Sequence, residues 1–274
     1  MHLRPDHAVR DLPTLHAFIR AHPLGIITTS LPSDNFPTLQ CSHIPWVLDS
    51  ETTQSSCNVS NGEEPHSSTP FLGILRGHIA RANPQTKALL EAISSDPSTT
   101  GSILPEEVLI IFTSPTDHYI SPNFYIESKP ATGKVAPTWN YAAVQVYGRA
   151  TIYHSKDAST GAYLHQQLSD LAVLGEEGVM GYGKGNGHAH AHAHGNRAMT
   201  MPWKIDDAPV AYIETLKKNI VGIRIDITRI EGRFKVSQER PVKDRGGVIE
   251  GLEEMETSRA RDMAAYVKSG VLPG

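Results

Sequence analysis

Leu75-Arg-Gly-His-Ile-Ala-Arg-Ala-Asn-Pro-Gln85 reads as a strand that runs straight into a helix N-terminus. Leu72, Ile74, Arg76 and His78 share one face at period two, with Phe71, Leu75 and Ile79 on the other. Asn83 is a good N-cap, Pro84 fits the first helical turn, and Leu89, Leu90 and Ile93 form an apolar stripe behind them. The junction therefore gathers Arg76, His78 and Arg81 near the unpaired N–H groups of a new helix, a place where phosphate or another anion can sit. Taken alone, it also reads as a capped helix after an edge strand, its arginines solvated. The segments that accompany it carry the reading further.

Around this stretch, 274 residues allow one large domain or two small ones. A hydrophobic content of 39% and a charged content of 20% describe an ordinary globular chain. The net charge of −4 gives no general electrostatic case for nucleic acid. No apolar run approaches the ~20 residues that span a bilayer, so no membrane partner is expected. Met-His-Leu-Arg-Pro-Asp at the start lacks the apolar core of a secretory signal. Cys41 and Cys57 are too few for a disulfide framework. An intracellular, cytoplasmic location is the expectation, with the nucleus left open.

Asp11 caps a short helix that stops before Pro23. Strands are expected at Leu24 to Thr29, Thr38 to Asp49, Val108 to Phe112, Tyr141 to Tyr153 and Val221 to Ile230. After the last of these, Glu231-Gly-Arg reads as a tight turn that returns Phe234 to Gln238 as a hairpin. Asp157 and Asp207 each open a helix, and the tail after Asp244 is helical. Polar stretches near 50–70, 94–105 and 175–202 read as insertions. About six strands punctuated by separate helices, without βαβ alternation, predict an α+β class with an antiparallel, barrel-like sheet in a single domain over residues 1–274.

Four segments combine hydrogen-bonding groups with aromatic rings at strand ends or turns: Leu75–Gln85, Tyr119–Tyr125, Lys134–Tyr141 and Phe234–Arg240. A planar heteroaromatic ligand with a phosphate tail needs that mixture of apolar faces, donors and cations. Gly77-His-Ile-Ala-Arg-Ala-Asn-Pro84 and Pro137-Thr-Trp-Asn-Tyr141 are the most specific strings. With His22-Pro-Leu24, Ser42-His-Ile-Pro45, Tyr119-Ile-Ser-Pro122, Tyr147-Gly-Arg149, Ile220-Val-Gly222 and Lys235-Val-Ser-Gln238, they span most of the chain. On these residues the chain resembles the PaiB-type family of the FMN-binding split-barrel superfamily, relatives of pyridoxamine-phosphate oxidases. The resemblance implies an antiparallel split β-barrel with peripheral helices, pairing as a homodimer around FMN-sized clefts. It implies Arg76, His78, Arg81, Asn83, Ser121, Thr138, Trp139, Asn140, Lys235, Ser237 and Gln238 as cofactor-binding positions. Family members were named as negative transcriptional regulators, so contact with nucleic acid follows by family analogy only. A flavin-dependent oxidoreductase and a heme-binding or heme-degrading protein stay open as alternatives.

Gly187-His-Ala-His-Ala-His-Ala-His-Gly195 is the other conspicuous feature. In an extended segment His188, His190, His192 and His194 face one side and would share Zn²⁺, Ni²⁺ or Cu²⁺ adventitiously. Its glycine flanks leave no site preformed. No Ser-His-Asp, P-loop or GxGxxG pattern occurs in a strand-to-helix context.

Overall fold

The computed structural model describes residues 1–50, 70–95, 102–183 and 201–270. In chain order its strands and helices are β1 (Ala8–Val9), α1 (Leu12–Ala21), β2 (Leu24–Ser30), β3 (Leu39–Pro45), β4 (Val47–Asp49), β5 (Ile74–Ala80) and α2 (Pro84–Ser95). Then come β6 (Ile103–Thr113), β7 (His118–Ile120), α3 (Ser128–Thr132), β8 (Thr138–Tyr153) and α4 (Ala158–Val173). The chain continues as α5 (Val210–Lys218), β9 (Ile220–Lys235), α6 (Val242–Glu253) and α7 (Ser258–Ser269). The strands are hydrogen-bonded in the order β3-β2-β6-β8-β9-β5-β4, with β1 on β9 and β7 on β8. The pairings β1–β9, β4–β5, β5–β9 and β7–β8 are all antiparallel, so the α+β class expected from the sequence is the one seen. Among the described residues no helix is long and apolar enough to cross a membrane.

Contacts gather in two compact units: residues 1–25, 109–147 and 228–274, and residues 26–108 and 148–227. The first contains a core in which Ile120, Tyr125 and Val236 pack with Val248 and Leu252 of α6 and Met263 and Val267 of α7. Buried Asp244 of α6 accepts the Glu127 and Ser128 amides at 2.8 and 3.2 Å and the Ser128 hydroxyl, which ties α3 to that core. Here one expectation is corrected. Glu231-Gly-Arg is not a turn, because β9 runs unbroken to Lys235 and Gly232 lies opposite Val9 of β1. The glycine serves a close approach instead: a Cβ at Gly232 would stand 2.3 Å from Leu15 of α1.

In the second unit β5 pairs with β9 from Ile74 opposite Asp226 to Ala80 opposite Ile220. Leu75 and Ile79 of β5 and Val221, Ile223 and Ile225 of β9 are buried, as period two requires. α2 begins as expected, with the Asn83 Oδ1 accepting the Gln85 amide at 2.9 Å and Leu89 and Ile93 buried. α4 also starts where expected, the Asp157 carboxylate accepting the Thr160 amide at 2.7 Å. α5 starts later than the Asp207 reading, at Val210, because Ile205–Asp207 forms a separate 3₁₀ turn and Pro209 then occupies the cap position. β6 extends well before the expected Val108, starting at Ile103, and so takes up the end of the 94–105 stretch. Trp46 divides the expected second strand into β3 and β4.

Candidate functional site

The expected cofactor positions fall into two groups, one in each unit. In the first unit the β7–β8 pairing sets Tyr119 opposite Trp139 and Ile120 opposite Thr138. The Tyr119 and Trp139 rings meet edge to face at 6.1 Å and are 43% and 54% exposed, a large apolar surface left uncovered. Thr138, next to Trp139 in β8 and so on the opposite face, accepts from Lys235, and burial, stronger than the attraction of Glu239, lowers the lysine pKa. The buried Asn140 donates through Nδ2 to the Ser237 hydroxyl at 2.9 Å, while its Oδ1 is buried without a hydrogen-bond partner. Ser237 has a φ of 61°, the left-handed region that a serine adopts only when its surroundings impose it.

Gln238 imposes part of that turn. Its Oε1 accepts the Val236 amide at 2.7 Å, and its Nε2 donates to the carbonyls of Asp6 and Phe234 at 2.8 and 2.5 Å. Its role is to hold the backbone that presents Ser237. Ser121 does local work too, its hydroxyl accepting the Asn123 amide at 3.2 Å. Thr138, Asn140, Lys235, Ser237 and Gln238 are thus brought together from segments about 97 positions apart in sequence.

In the second unit Arg76 is held by two carboxylates that the sequence reading missed. It donates to Asp49 through Nε and Nη2 at 2.6 and 2.8 Å, and its Nη1 lies 2.7 Å from Asp170 of α4. Burial opposes its charge, but these partners raise its pKa and keep it cationic. Its charge is therefore matched. His78, two residues on, places Nδ1 2.7 Å from the Gln167 Oε1. Burial outweighs that contact and lowers the imidazole pKa, so His78 is neutral near pH 7. Gln167 and Asp170 stand one helical turn apart and meet side chains two apart on a strand. That matching of 3.6 to 2 was the one signal that would have found them.

Arg81 differs from Arg76. Its guanidinium donates to the carbonyls of His154 at 2.9 Å, Lys218 at 3.3 Å and Ile220 at 3.4 Å, which orient it without neutralising it. Asn83 caps α2 and donates to the Ser42 hydroxyl at 3.0 Å, so both ends of its amide are engaged. Among the described residues no group of three or more His, Cys, Asp and Glu side chains could hold a metal ion. His188, His190, His192 and His194 lie outside the described residues.

Over residues 1–229 the chain matches the family described as "Putative FMN-binding domain". It belongs to that family. This FMN-binding family protein is 48% identical over 272 residues to an uncharacterized protein of Aspergillus fumigatus, covering 98% of this chain and 97% of the relative. It is 29% identical over 194 residues to the protease synthase and sporulation protein PAI 2 of Bacillus subtilis, covering 71% of this chain and 72% of that protein. The flavocytochrome Anf3 from Azotobacter vinelandii aligns with 85% of this chain and 72% of its own, at 11% identity and a TM-score of 0.42. The family match and the similarity to PAI 2 support the PaiB-type resemblance read from the motifs, and the antiparallel sheet is the one the α+β reading expected.

Proposed function

We propose that this FMN-binding family protein binds FMN through the cluster built from the start of β8 and the end of β9. The observation that carries the reading is the Asn140 Oδ1, an acceptor buried in the first unit with no partner of its own. A buried orphan acceptor costs about 1–3 kcal/mol, which a donor on a ligand would recover. The rest of the cluster suits a flavin. Ser237 and Thr138 offer hydroxyls and Lys235 a cation, while Trp139 and Tyr119 present aromatic surface on the other face of β8. When bound, the flavin supplies hydride or electron transfer, and the protein supplies position and electrostatics. Asn140 and Ser237 would hold its polar edge, while the Gln238 latch keeps Ser237 in place.

The flavin reading is compatible with a redox activity and with a regulator whose ligand state a partner reads. The name of the Bacillus subtilis relative, protease synthase and sporulation protein, does not choose between them. The net charge of −4 lends direct nucleic-acid contact no support. Exposed Trp139 and Tyr119 also support pairing of two copies, and we include a homodimer in the proposal. The test is the visible spectrum of purified protein together with FMN titration of wild type and Asn140→Ala. Flavin bands, and affinity about tenfold weaker in the variant, are expected. A Soret band would instead favour the heme alternative. Protein that is colourless and ignores added FMN sinks the flavin reading.

A further inference from the structure

A cavity of about 620 Å³ lies in the second unit, where the end of β5, the junction of β8 with α4 and the last turn of α5 come together. Its volume is that of a small-molecule site, and Leu164 and Gly161 give it an apolar wall. Four cationic side chains line it, Arg81, Lys156, Lys217 and Lys218, against two carboxylates, Asp157 and Glu214. Two positive charges in excess are concentrated there in a chain whose net charge is −4.

Both carboxylates are already engaged. Glu214 pairs with Lys217 at 2.7 Å. Asp157 accepts the Ser155 hydroxyl at 2.5 Å, the Thr160 amide at 2.7 Å and the Ser159 hydroxyl at 2.8 Å. Among the described residues Arg81, Lys156 and Lys218 form no ion pair. Arg81 is held by three neutral carbonyls, so its charge is aimed yet uncompensated. The sixteen-residue α4 opens at the same place, and its N-terminal dipole adds to the positive potential. Three unpaired cations at the mouth of an organic-sized cavity match a dianion better than a monocarboxylate.

We propose that this cavity binds a phosphate monoester, with Arg81, Lys156 and Lys218 receiving the phosphate and the space beside Leu164 receiving its organic part. The site does not rest on the flavin cluster, whose residues belong to the other unit. Calorimetric titration of the full chain with inorganic phosphate, and with acetate at equal ionic strength, tests it. Phosphate is expected to bind and raise the Tm, and acetate to do neither. Arg81 also ties backbone together, so the decisive variant is Lys156→Ala/Lys218→Ala at two exposed positions. Phosphate affinity should fall about tenfold there, as loss of charge-assisted contacts requires. Lys87→Ala/Lys268→Ala, with the same charge change elsewhere, should leave it intact. Equal phosphate affinity in the first variant, equal loss in the second, or acetate binding as well as phosphate overturns the proposal. Displacement of phosphate by FMN but not riboflavin identifies a flavin phosphate as occupant. Displacement by glucose 6-phosphate but not FMN identifies a separate phosphorylated metabolite, and displacement by neither overturns the site.

Discussion

Half-buried Arg76 and fully buried Asp244 are the two charges on which the residue-scale energetics turn. Arg76 reaches Asp49 on the neighbouring strand and Asp170 on α4, its side chain 15% exposed. Removing it leaves two carboxylates facing each other without a cation. Arg76→Ala should therefore cost about 3 kcal/mol in urea unfolding, with no ligand present. A variant as stable as wild type would return Arg76 to the ligand-binding candidates. Asp244 works in the opposite sense of pH. Burial raises its pKa, but the hydrogen bonds from Ser128 and from the Glu127 and Ser128 amides outweigh it and hold the carboxyl below its usual value. The folded pKa being the lower one, this stability is fully present above the ordinary carboxylate range and is lost as pH falls through it. Asp244→Asn should be less stable than wild type at pH 7 by about 2 kcal/mol. The gap should narrow below pH of about 4, and a gap constant with pH would show that the carboxylate is not the source. The sequence showed that Arg76 and His78 share a face. It did not show what lies across from them, because Asp170 is far along the chain and its position depends on where α4 comes to rest.

At the scale of elements, the docking of α4 onto the sheet is decided by one glycine. The Tyr163 ring lies on Gly222 of β9, where a Cβ would meet the ring at 2.5 Å, and its hydroxyl donates to the Ile223 carbonyl at 2.8 Å. Tyr153 of β8 stacks on the same ring at 3.8 Å between centroids. Gly222→Ala should force this helix away and cost about 1–3 kcal/mol. Tyr163→Phe should cost only about 1 kcal/mol, the value of one hydrogen bond. In the double variant the two losses should fall short of additive, since they act on one contact. Additive losses in a double-mutant cycle would mean that the ring does not bear on Gly222. Helix starts were legible at Asp11, Asn83 and Asp157, whose side chains cap them, but not at Thr257, whose hydroxyl caps α7. The hairpin at Glu231–Arg233 was misread for a physical reason: a glycine marks a turn and a close approach with the same letter, and only the position of Leu15 tells them apart.

At the scale of the whole molecule, the exposed Trp139 and Tyr119 surface and the family reading lead to an expected homodimer. Sedimentation at micromolar concentration should show a dimer, weakened by Trp139→Glu, which sets a charge in the middle of that surface. A wild-type protein that is monomeric throughout would remove the second copy from the proposal. The sequence by itself determined the α+β class, the antiparallel sheet and the family, because period-two and period-3.6 patterns, caps and short motifs are local properties of the chain. It also singled out Thr138, Asn140, Lys235 and Ser237, whose polar types stood out at strand ends. Which of those groups meet, which cations are neutralised and which acceptor is left without a partner were decided only by the tertiary structure. Pairing across about 97 positions depends on register and on how closely a helix can approach a strand, and neither is written in any single stretch of residues.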